Sequence, residues 1–330
     1  MKEYLRKTGK ITDIFPIAYL ITFVLILCGQ LIGMVVQLLL SVTIVAVSHS
    51  ETLSPFMTTF MKYFNFCGIW IAFLLTLLFR ANRPMTRSLQ PNKRGNNLRW
   101  ILIGTLIGFG TNGLCALFAW LSKDIALHFE TFHLLKFIAL LFAVFVQSAA
   151  EELACRWYLY EKLRRRYRNP IIAIVLNALL FGILHVANPG FSIWGGIQVV
   201  LMGILCSILV CYYDSLWGAM MVHTAWNFTQ SILLGLPNSG IVLPYSNFRL
   251  DAASSGFFFD PGFGIEGSPG ASLLLITTIC ILIFFIYRNK LQAVDTWAET
   301  EALLEAESAS VAQPAAPAAP AESASSEKNA

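Results

Sequence analysis

The feature that most constrains the fold of this chain is a series of long apolar stretches. They recur along most of the 330 residues, and a helix needs roughly 20 apolar residues to cross a bilayer. The sequence therefore predicts an all-α integral membrane protein, a polytopic bundle of about eight transmembrane helices. The predicted spans are 15–48, 57–79, 100–121, 136–160, 171–187, 194–212, 216–235 and 271–287.

The composition agrees with a membrane protein and excludes several other classes. Hydrophobic residues make up 56% of the chain and charged residues 13%, whereas a soluble domain carries about 25% charged residues. The seven cysteines form no C-x-x-C pair, so neither a disulfide framework nor a zinc knuckle is indicated.

Lysine and arginine are concentrated in alternate predicted loops, at the N-terminus and within 80–99, 162–168 and 288–290. Because cytoplasmic loops are enriched in these residues, the pattern predicts that both termini are cytoplasmic. The run "EKLRRRYR" is also compatible with nucleic-acid binding, but the orientation of the spans explains it, and we expect no nucleic-acid partner.

The chain divides into a polytopic membrane domain at 1–290 and an Ala/Pro/Glu-rich segment at 291–330. That segment has too little apolar surface to order itself, so we predict a disordered cytoplasmic tail. Residues 236–270 form a long outer loop, either a lid or, as the composition favours, a loosely packed connector. The small residues of 104–113, "GTLIGFGTNG", predict close helix packing.

Ionisable side chains inside spanning helices are costly, so each needs a partner or a task. The fourth predicted helix carries Gln147, Glu151, Glu152 and Arg156. Glu152 and Arg156 have i,i+4 spacing and lie about 40° apart on one face, which predicts an ion pair. We interpret this pair as structural. Glu151 points about 100° away, with Gln147 on its own face, and needs other partners.

Two further helices supply candidate partners for Glu151. The fifth carries His185 in "FGILH", and the seventh carries His223 and Asn227 one turn apart in "HTAWN". A carboxylate near two imidazoles and an amide can activate a water and stabilise an oxyanion. Each histidine alone could be a hydrogen-bonded packing residue, so the prediction depends on the three motifs occurring together.

Three other polar residues lie in or beside predicted spans, and we interpret them as helix–helix or boundary residues: Asn177, Asn188 and Gln198.

The motifs "EELACR", "FGILH" and "HTAWN" fit E-E-x-x-x-R, F-x-x-x-H and H-x-x-x-N. In this order, on successive spanning helices, they resemble the CAAX protease and bacteriocin-processing family, also called the Abi family of intramembrane proteases. The resemblance covers a protease core of about 136–235. It implies hydrolysis of a peptide bond in a membrane-associated or exported peptide or protein, with peptide processing or self-immunity as the biological setting.

The resemblance also implies roles for individual residues. Glu151 would be the general base that activates water, with His185 assisting it, and His223 and Asn227 would bind the oxyanion. The remaining motif residues, Glu152 and Arg156, would be supporting residues.

A divalent metal such as zinc is compatible with the same residues, and otherwise no cofactor is implied. His185 and His223 would then be ligands, together with Glu151 or Asn227. One Glu plus two His is a known catalytic zinc set, although the chain contains no H-E-x-x-H. Both mechanisms stay open, with metal-free chemistry slightly favoured. The expected partners are the lipid bilayer and a peptide substrate, and the expected location is a bacterial plasma membrane.

Two other classes of function use similar residues. A non-catalytic membrane scaffold or immunity protein could retain the motifs for stability. A transporter or proton relay could also use buried Glu and His side chains, but transporters commonly show internal repeats, and none is visible here.

Overall fold

The computed structural model describes residues 10–49 and 52–312. In this part of the chain the secondary structure is mainly helical, with one small antiparallel sheet. The helices are α1 Phe15–Ser48, α2 Pro55–Phe64, α3 Cys67–Leu75, α4 Leu98–Leu121, α5 Leu134–Glu152, α6 Tyr160–Arg166, α7 Pro170–His185, α8 Ile193–Tyr213, α9 Leu216–Asn227, α10 Pro269–Arg288 and α11 Thr296–Ala312. The strands are β1 Ile125–Phe129 and β2 Phe248–Ala253.

Local sequence signals explain where many of these helices begin. A serine or asparagine side chain accepts a hydrogen bond from the first turn, which stabilises a helix start. In α2, α7 and α10 a proline follows the cap, where its missing N–H has no cost. The capping residues are Ser54, Asn97, Asn169, Ser192, Ser215 and Ser268.

Within residues 10–49 and 52–312, six helical stretches are long and apolar enough to cross a membrane, which agrees with a polytopic all-α membrane protein. The predicted count of about eight is not confirmed on these criteria, because two predicted spans form shorter helices: α7 has 16 residues, and α9 has 12 before its π-helical continuation. The predicted fourth span extends past residue 160: α5, the π-helical segment Leu153–Leu159 and α6 together form one stretch, Leu134–Arg166.

The predicted close packing at 104–113 occurs on one face of α4. A Cβ atom on Gly104 would collide with the backbone of Gly218, and one on Gly108 with the carbonyl of Val222. Gly110 and Gly113 face open space instead. The small residues on the first face therefore let α4 and α9 approach closely.

The segment 234–268 differs from the predicted loosely packed connector. Phe259, Phe263 and Ile265 are buried in it, and its strand β2 pairs with β1. The sequence pattern hid this packing because the apolar residues stand between glycines without helical or strand periodicity. We call this side of the bundle the loop end.

The opposite end, which we call the basic end, is built from the N-terminal turn at 11–13, the 80–97 connection, α6 and α11. Its centre is a buried ion pair in which Arg165 Nε donates to Asp13 Oδ2 at 2.6 Å. The Arg165 guanidinium also lies 4.5 Å from the Trp297 ring centre.

The first part of the predicted disordered tail is ordered instead. Trp297 is fully buried and donates a hydrogen bond to the carbonyl of Glu161 at 2.9 Å, so the first part of 291–330 is anchored and continues as α11. One large aromatic side chain supplies the burial that the Ala/Pro/Glu-rich sequence otherwise lacks. The rest of the predicted tail, 313–330, lies outside the described residues.

Candidate active site

The three sequence motifs meet at one cavity of about 440 Å³ inside the bundle. Helices α1, α2, α3, α5, α7, α8 and α9 contribute to its wall, and the loop end closes part of it. Its polar and charged lining comprises Gln30, Lys62, Gln147, Glu151, His185, Asn188, Gln198, His223, Asn227, Asn238, Ser239 and Glu266. Apolar side chains such as Ile69, Phe181 and Met202 form the remaining wall.

Glu152 and Arg156 form the predicted i,i+4 pair, with Arg156 Nη1 3.1 Å from Glu152 Oε1. Both side chains are fully buried. The same carboxylate oxygen is 2.9 Å from His223 Nδ1. Glu152 is thus more than a partner for Arg156, because it also fixes the imidazole of the third motif.

This contact determines how His223 faces the cavity. A carboxylate only accepts hydrogen bonds, so Nδ1 of His223 carries the proton toward Glu152. Nε2 of the neutral ring is then an acceptor. It stands 3.8 Å from Glu151 Oε2, too far for a direct hydrogen bond but suited to a small molecule that bonds to both atoms.

Glu151 has the partners that its helix face predicts, and one oxygen left over. Gln147 Nε2 donates to Glu151 Oε1 at 2.6 Å. Glu151 Oε2 is buried and makes no hydrogen bond with the residues that the structure describes. The predicted convergence of Glu151 with the third motif is therefore present in the geometry.

Asn227 connects this carboxylate to the loop end. Its Nδ2 donates to Gln147 Oε1 at 3.0 Å and to Ser148 Oγ at 3.1 Å, while its Oδ1 accepts from Asn238 at 3.1 Å. A chain of hydrogen bonds thus runs from Asn238 through Asn227 and Gln147 to Glu151.

His185 lines the same cavity from the end of α7. Its Nδ1 is 2.8 Å from the carbonyl of Phe181, so Nδ1 carries the proton, and Nε2 of the neutral ring is an acceptor. The described residues give it no hydrogen bond to Glu151. The structure thus brings His185 into the cavity but not into direct contact with the carboxylate.

A π-helical segment directly follows the glutamates of the first motif, and another directly follows the asparagine of the third motif. Leu153–Leu159 begins after Glu152, and Phe228–Leu233 begins after Asn227. Such segments are rare and are frequent at functional sites, because they shift side chains relative to a regular helix.

The sequence patterns missed Glu266, which reaches the cavity from the loop end. It is 5% exposed and accepts from Trp226 Nε1 at 3.0 Å, and from Ser239 N and Oγ at 2.6 Å each. Burial raises the pKa of the Glu266 carboxyl above its ordinary value, while the Ser239 hydrogen bonds and the nearby His185 oppose this effect. The only signal in the sequence is a lone acid in "GIEGSPG".

Among the described residues, no three His, Cys, Asp or Glu side chains are grouped so that they could hold a metal ion. A catalytic zinc is bound by three such protein ligands. The Nδ1 atoms of His185 and His223 have protein partners, which leaves Nε2 of each ring for a group in the cavity.

Comparisons with known proteins agree with this geometry. Residues 133–229 match the family model described as type II CAAX prenyl endopeptidase Rce1-like. The chain is also similar to the uncharacterized protein YyaK of Bacillus subtilis (strain 168), with 25% identity over 201 residues. That match covers 59% of this chain and 66% of YyaK, so the chain spans less than two thirds of that relative. No solved structure shows a significant match. Residues 133–229 contain all three motifs, and in this part the chain is similar to the Rce1-like family of type II CAAX prenyl endopeptidases.

Proposed function

We propose that this protein is an intramembrane endopeptidase that hydrolyses a peptide bond of a membrane-associated or exported peptide or protein. The observation that carries the proposal is the pair of acceptor atoms, Glu151 Oε2 and His223 Nε2, 3.8 Å apart at the wall of the cavity. With the His223 ring neutral, two acceptors face each other, and they need a molecule with two hydrogens between them. Water meets this requirement, and a peptidase needs water there. The match to a protease family model adds support.

In the proposed reaction Glu151 is the general base. A water between Glu151 and His223 gives one proton to Glu151, and its oxygen forms a bond to the carbonyl carbon of the substrate. The C–N bond then breaks, and Glu151 returns the proton to the leaving amine, which balances the hydrolysis. Gln147, held by Asn227, keeps the Glu151 carboxylate in place during these steps.

The oxyanion that forms in the first step needs a donor. We assign this role to Asn227, which exchanges one of its two amide hydrogen bonds, to Gln147 or to Ser148, for the substrate oxygen. His223 assists in holding the water, and His185 offers its Nε2 to the substrate from another wall of the cavity.

The proposed reaction uses only groups of the chain itself, because Glu151 and the two imidazoles do not form a three-ligand metal set. Metal analysis of the purified protein tests this choice. We expect cleavage to persist after treatment with a strong chelator. Loss of cleavage that returns on adding zinc would show that the site is assembled around a metal.

The proposed location is a bacterial plasma membrane, with both termini in the cytoplasm. The basic end carries most of the arginines beside the helix ends, as cytoplasmic loops do. Single cysteines are introduced by the substitutions Lys123→Cys and Asn289→Cys. Labelling them with a membrane-impermeant reagent tests the orientation. We expect only the first to react from outside intact cells.

A cleavage assay tests the proposed function. The protein is reconstituted in phosphatidylethanolamine/phosphatidylglycerol vesicles and mixed with a library of fluorescence-quenched decapeptides. We expect cleavage of part of the library and a loss of at least about 10³-fold in Glu151→Gln, since the general base is removed. Glu130→Gln, which changes an exposed acid outside the cavity, should keep full activity.

The same preparation separates the alternatives. If Glu151→Gln and His185→Ala both fold and retain full biological function, hydrolysis at this cavity is wrong and a scaffold is favoured. Ion flux into the vesicles that depends on Glu151 would instead favour a transporter.

A further inference from the structure

We propose that the side-chain amide of Gln198 binds a backbone amide group of the peptide substrate in the cavity. The proposal rests on the proposed function, because it names a contact to the substrate of that reaction. Gln198 lies on α8, outside the three sequence motifs.

Gln198 is buried but not satisfied. Its side chain is 1% exposed and lines the cavity. Its Nε2 atom is enclosed by protein and makes no hydrogen bond with any residue that the structure describes. An enclosed amide nitrogen without a partner is destabilising, so its presence calls for an explanation.

Three other amides at the cavity wall are already used by the protein. Gln147 donates to Glu151, Asn227 donates to Gln147 and Ser148, and Asn238 donates to Asn227. These three hold the proposed general base and each other. Gln198 takes no part in their hydrogen bonds. Its Nε2 is enclosed in this conformation, so a turn about the terminal torsion brings that edge to a ligand in the cavity.

Helix–helix hydrogen bonding, the role predicted for Gln198 from sequence, is performed by another residue. Asn177 of α7 is fully buried, and its Nδ2 donates to Ser207 Oγ of α8 at 2.8 Å. Gln198, one helix along the chain, has no such partner. Asn177 Oδ1 is likewise unbonded among the described residues, so the difference lies in the amide nitrogen, which Asn177 uses between helices and Gln198 does not.

The chemistry of the side chain selects the ligand class. A primary carboxamide presents one acceptor and two donor hydrogens, as a complement to the C=O and N–H of a peptide group. The terminal torsion of glutamine is broad, so the amide can turn either edge toward the ligand. A neutral amide suits a neutral backbone group, whereas a carboxylate or phosphate ligand is bound better by a cation.

Thermal unfolding gives a test that does not need activity. Met has nearly the shape of Gln without the polar atoms. Exchanging an unsatisfied amide for an apolar group of the same shape is close to neutral or stabilising. We expect Gln198→Met to leave the Tm unchanged or higher, and the control Asn177→Leu to lower it by about 2–4 °C. An equal fall in both variants would overturn the proposal, since Gln198 would then be structural.

Kinetics tests the contact itself, with the decapeptide that the unaltered protein cleaves fastest as the probe. Loss of a neutral hydrogen bond should raise KM about 3–10-fold in Gln198→Met, with kcat within about twofold. The backbone nitrogens of the probe are then methylated one at a time. At one position, methylation should raise the KM of the unaltered protein by the same factor. Methylation at that position should not raise the KM of Gln198→Met any further, because the contact is already absent in this variant.

The possible failures are distinguishable. If the unaltered protein cleaves no peptide, or if Glu151→Gln cleaves as fast, the proposed function fails and the role of Gln198 fails with it. If Glu151→Gln is inactive but Gln198→Met keeps an unchanged KM, only the role of Gln198 is overturned.

Discussion

At the residue scale, the adjacent glutamates Glu151 and Glu152 have different surroundings and hence different roles. Both have one oxygen without a hydrogen bond among the described residues, but Glu152 is fully buried between Arg156 and His223, whereas Glu151 lines the cavity. Breaking a buried ion pair on one side leaves an uncompensated charge, which costs several kcal/mol. Substitutions at Glu152 therefore mix a stability effect with an effect on His223.

A pair of variants separates these effects. Glu152→Gln should lower the Tm strongly, because the charge of Arg156 loses its partner. Adding Arg156→Met removes both charges and should restore much of the Tm. Catalysis should stay about 10–100-fold below the unaltered protein, since His223 lacks its orienting carboxylate.

The measurements are thermal unfolding and kcat of both variants. If the double variant regains full kcat along with its Tm, Glu152 is only a partner for Arg156, and its proposed role toward His223 is wrong.

At the scale of elements, close helix contacts depend on a few glycines. Gly68 of α3 faces Gly29 and Gly33 of α1, and a Cβ atom on Gly68 would collide with their backbone. Helices in membranes associate largely through such packing. Because α1 and α3 both contribute to the cavity wall, this contact also shapes the site.

We expect Gly68→Ala and Gly113→Ala to shift the Tm in opposite directions. At Gly68 the methyl group meets backbone, and overpacking costs about 1–3 kcal/mol. At Gly113 it meets open space, and alanine in a helix interior is favoured over glycine by about 0.5–1 kcal/mol. Thermal unfolding of the two variants checks this, and a lower Tm for both would contradict the assigned contact.

Contacts between residues that are close in sequence could be predicted from the sequence. The pair Glu152–Arg156 and the neighbour Gln147 of Glu151 follow from helical spacing alone. The three motifs gave His185, His223 and Asn227 only because they occurred together. Asn238 and Glu266 could not be found this way, because both lie in an irregular segment whose position depends on long-range packing.

At the scale of the whole molecule, the two ends of the bundle are built differently. The loop end supplies Asn238 and Glu266 to the cavity. The basic end joins the N-terminal turn to α11 through Asp13, Arg165 and Trp297. Chain segments more than 100 residues apart in sequence therefore hold each end together. Such contacts have no periodic signature, which is why α11 was not predicted.

Trp297→Ala should release α11 from the basic end, because it removes the buried indole and its hydrogen bond to Glu161. We expect backbone hydrogen exchange at 294–300 to speed up at least about 10-fold. Leu303→Ala, on the exposed side of α11, is the control and should change little. Unchanged exchange in Trp297→Ala would contradict the anchoring role.

The central claim is that Glu151 and His223 act together on one water. A double-mutant cycle with Glu151→Gln and His223→Gln, measured as kcat on the decapeptide probe in vesicles, tests it most directly. Residues that act as a unit have strongly non-additive effects. If the two side chains share one water, the double variant loses about as much kcat as the Glu151 variant alone. Losses that multiply, as for two independent sites, would contradict it.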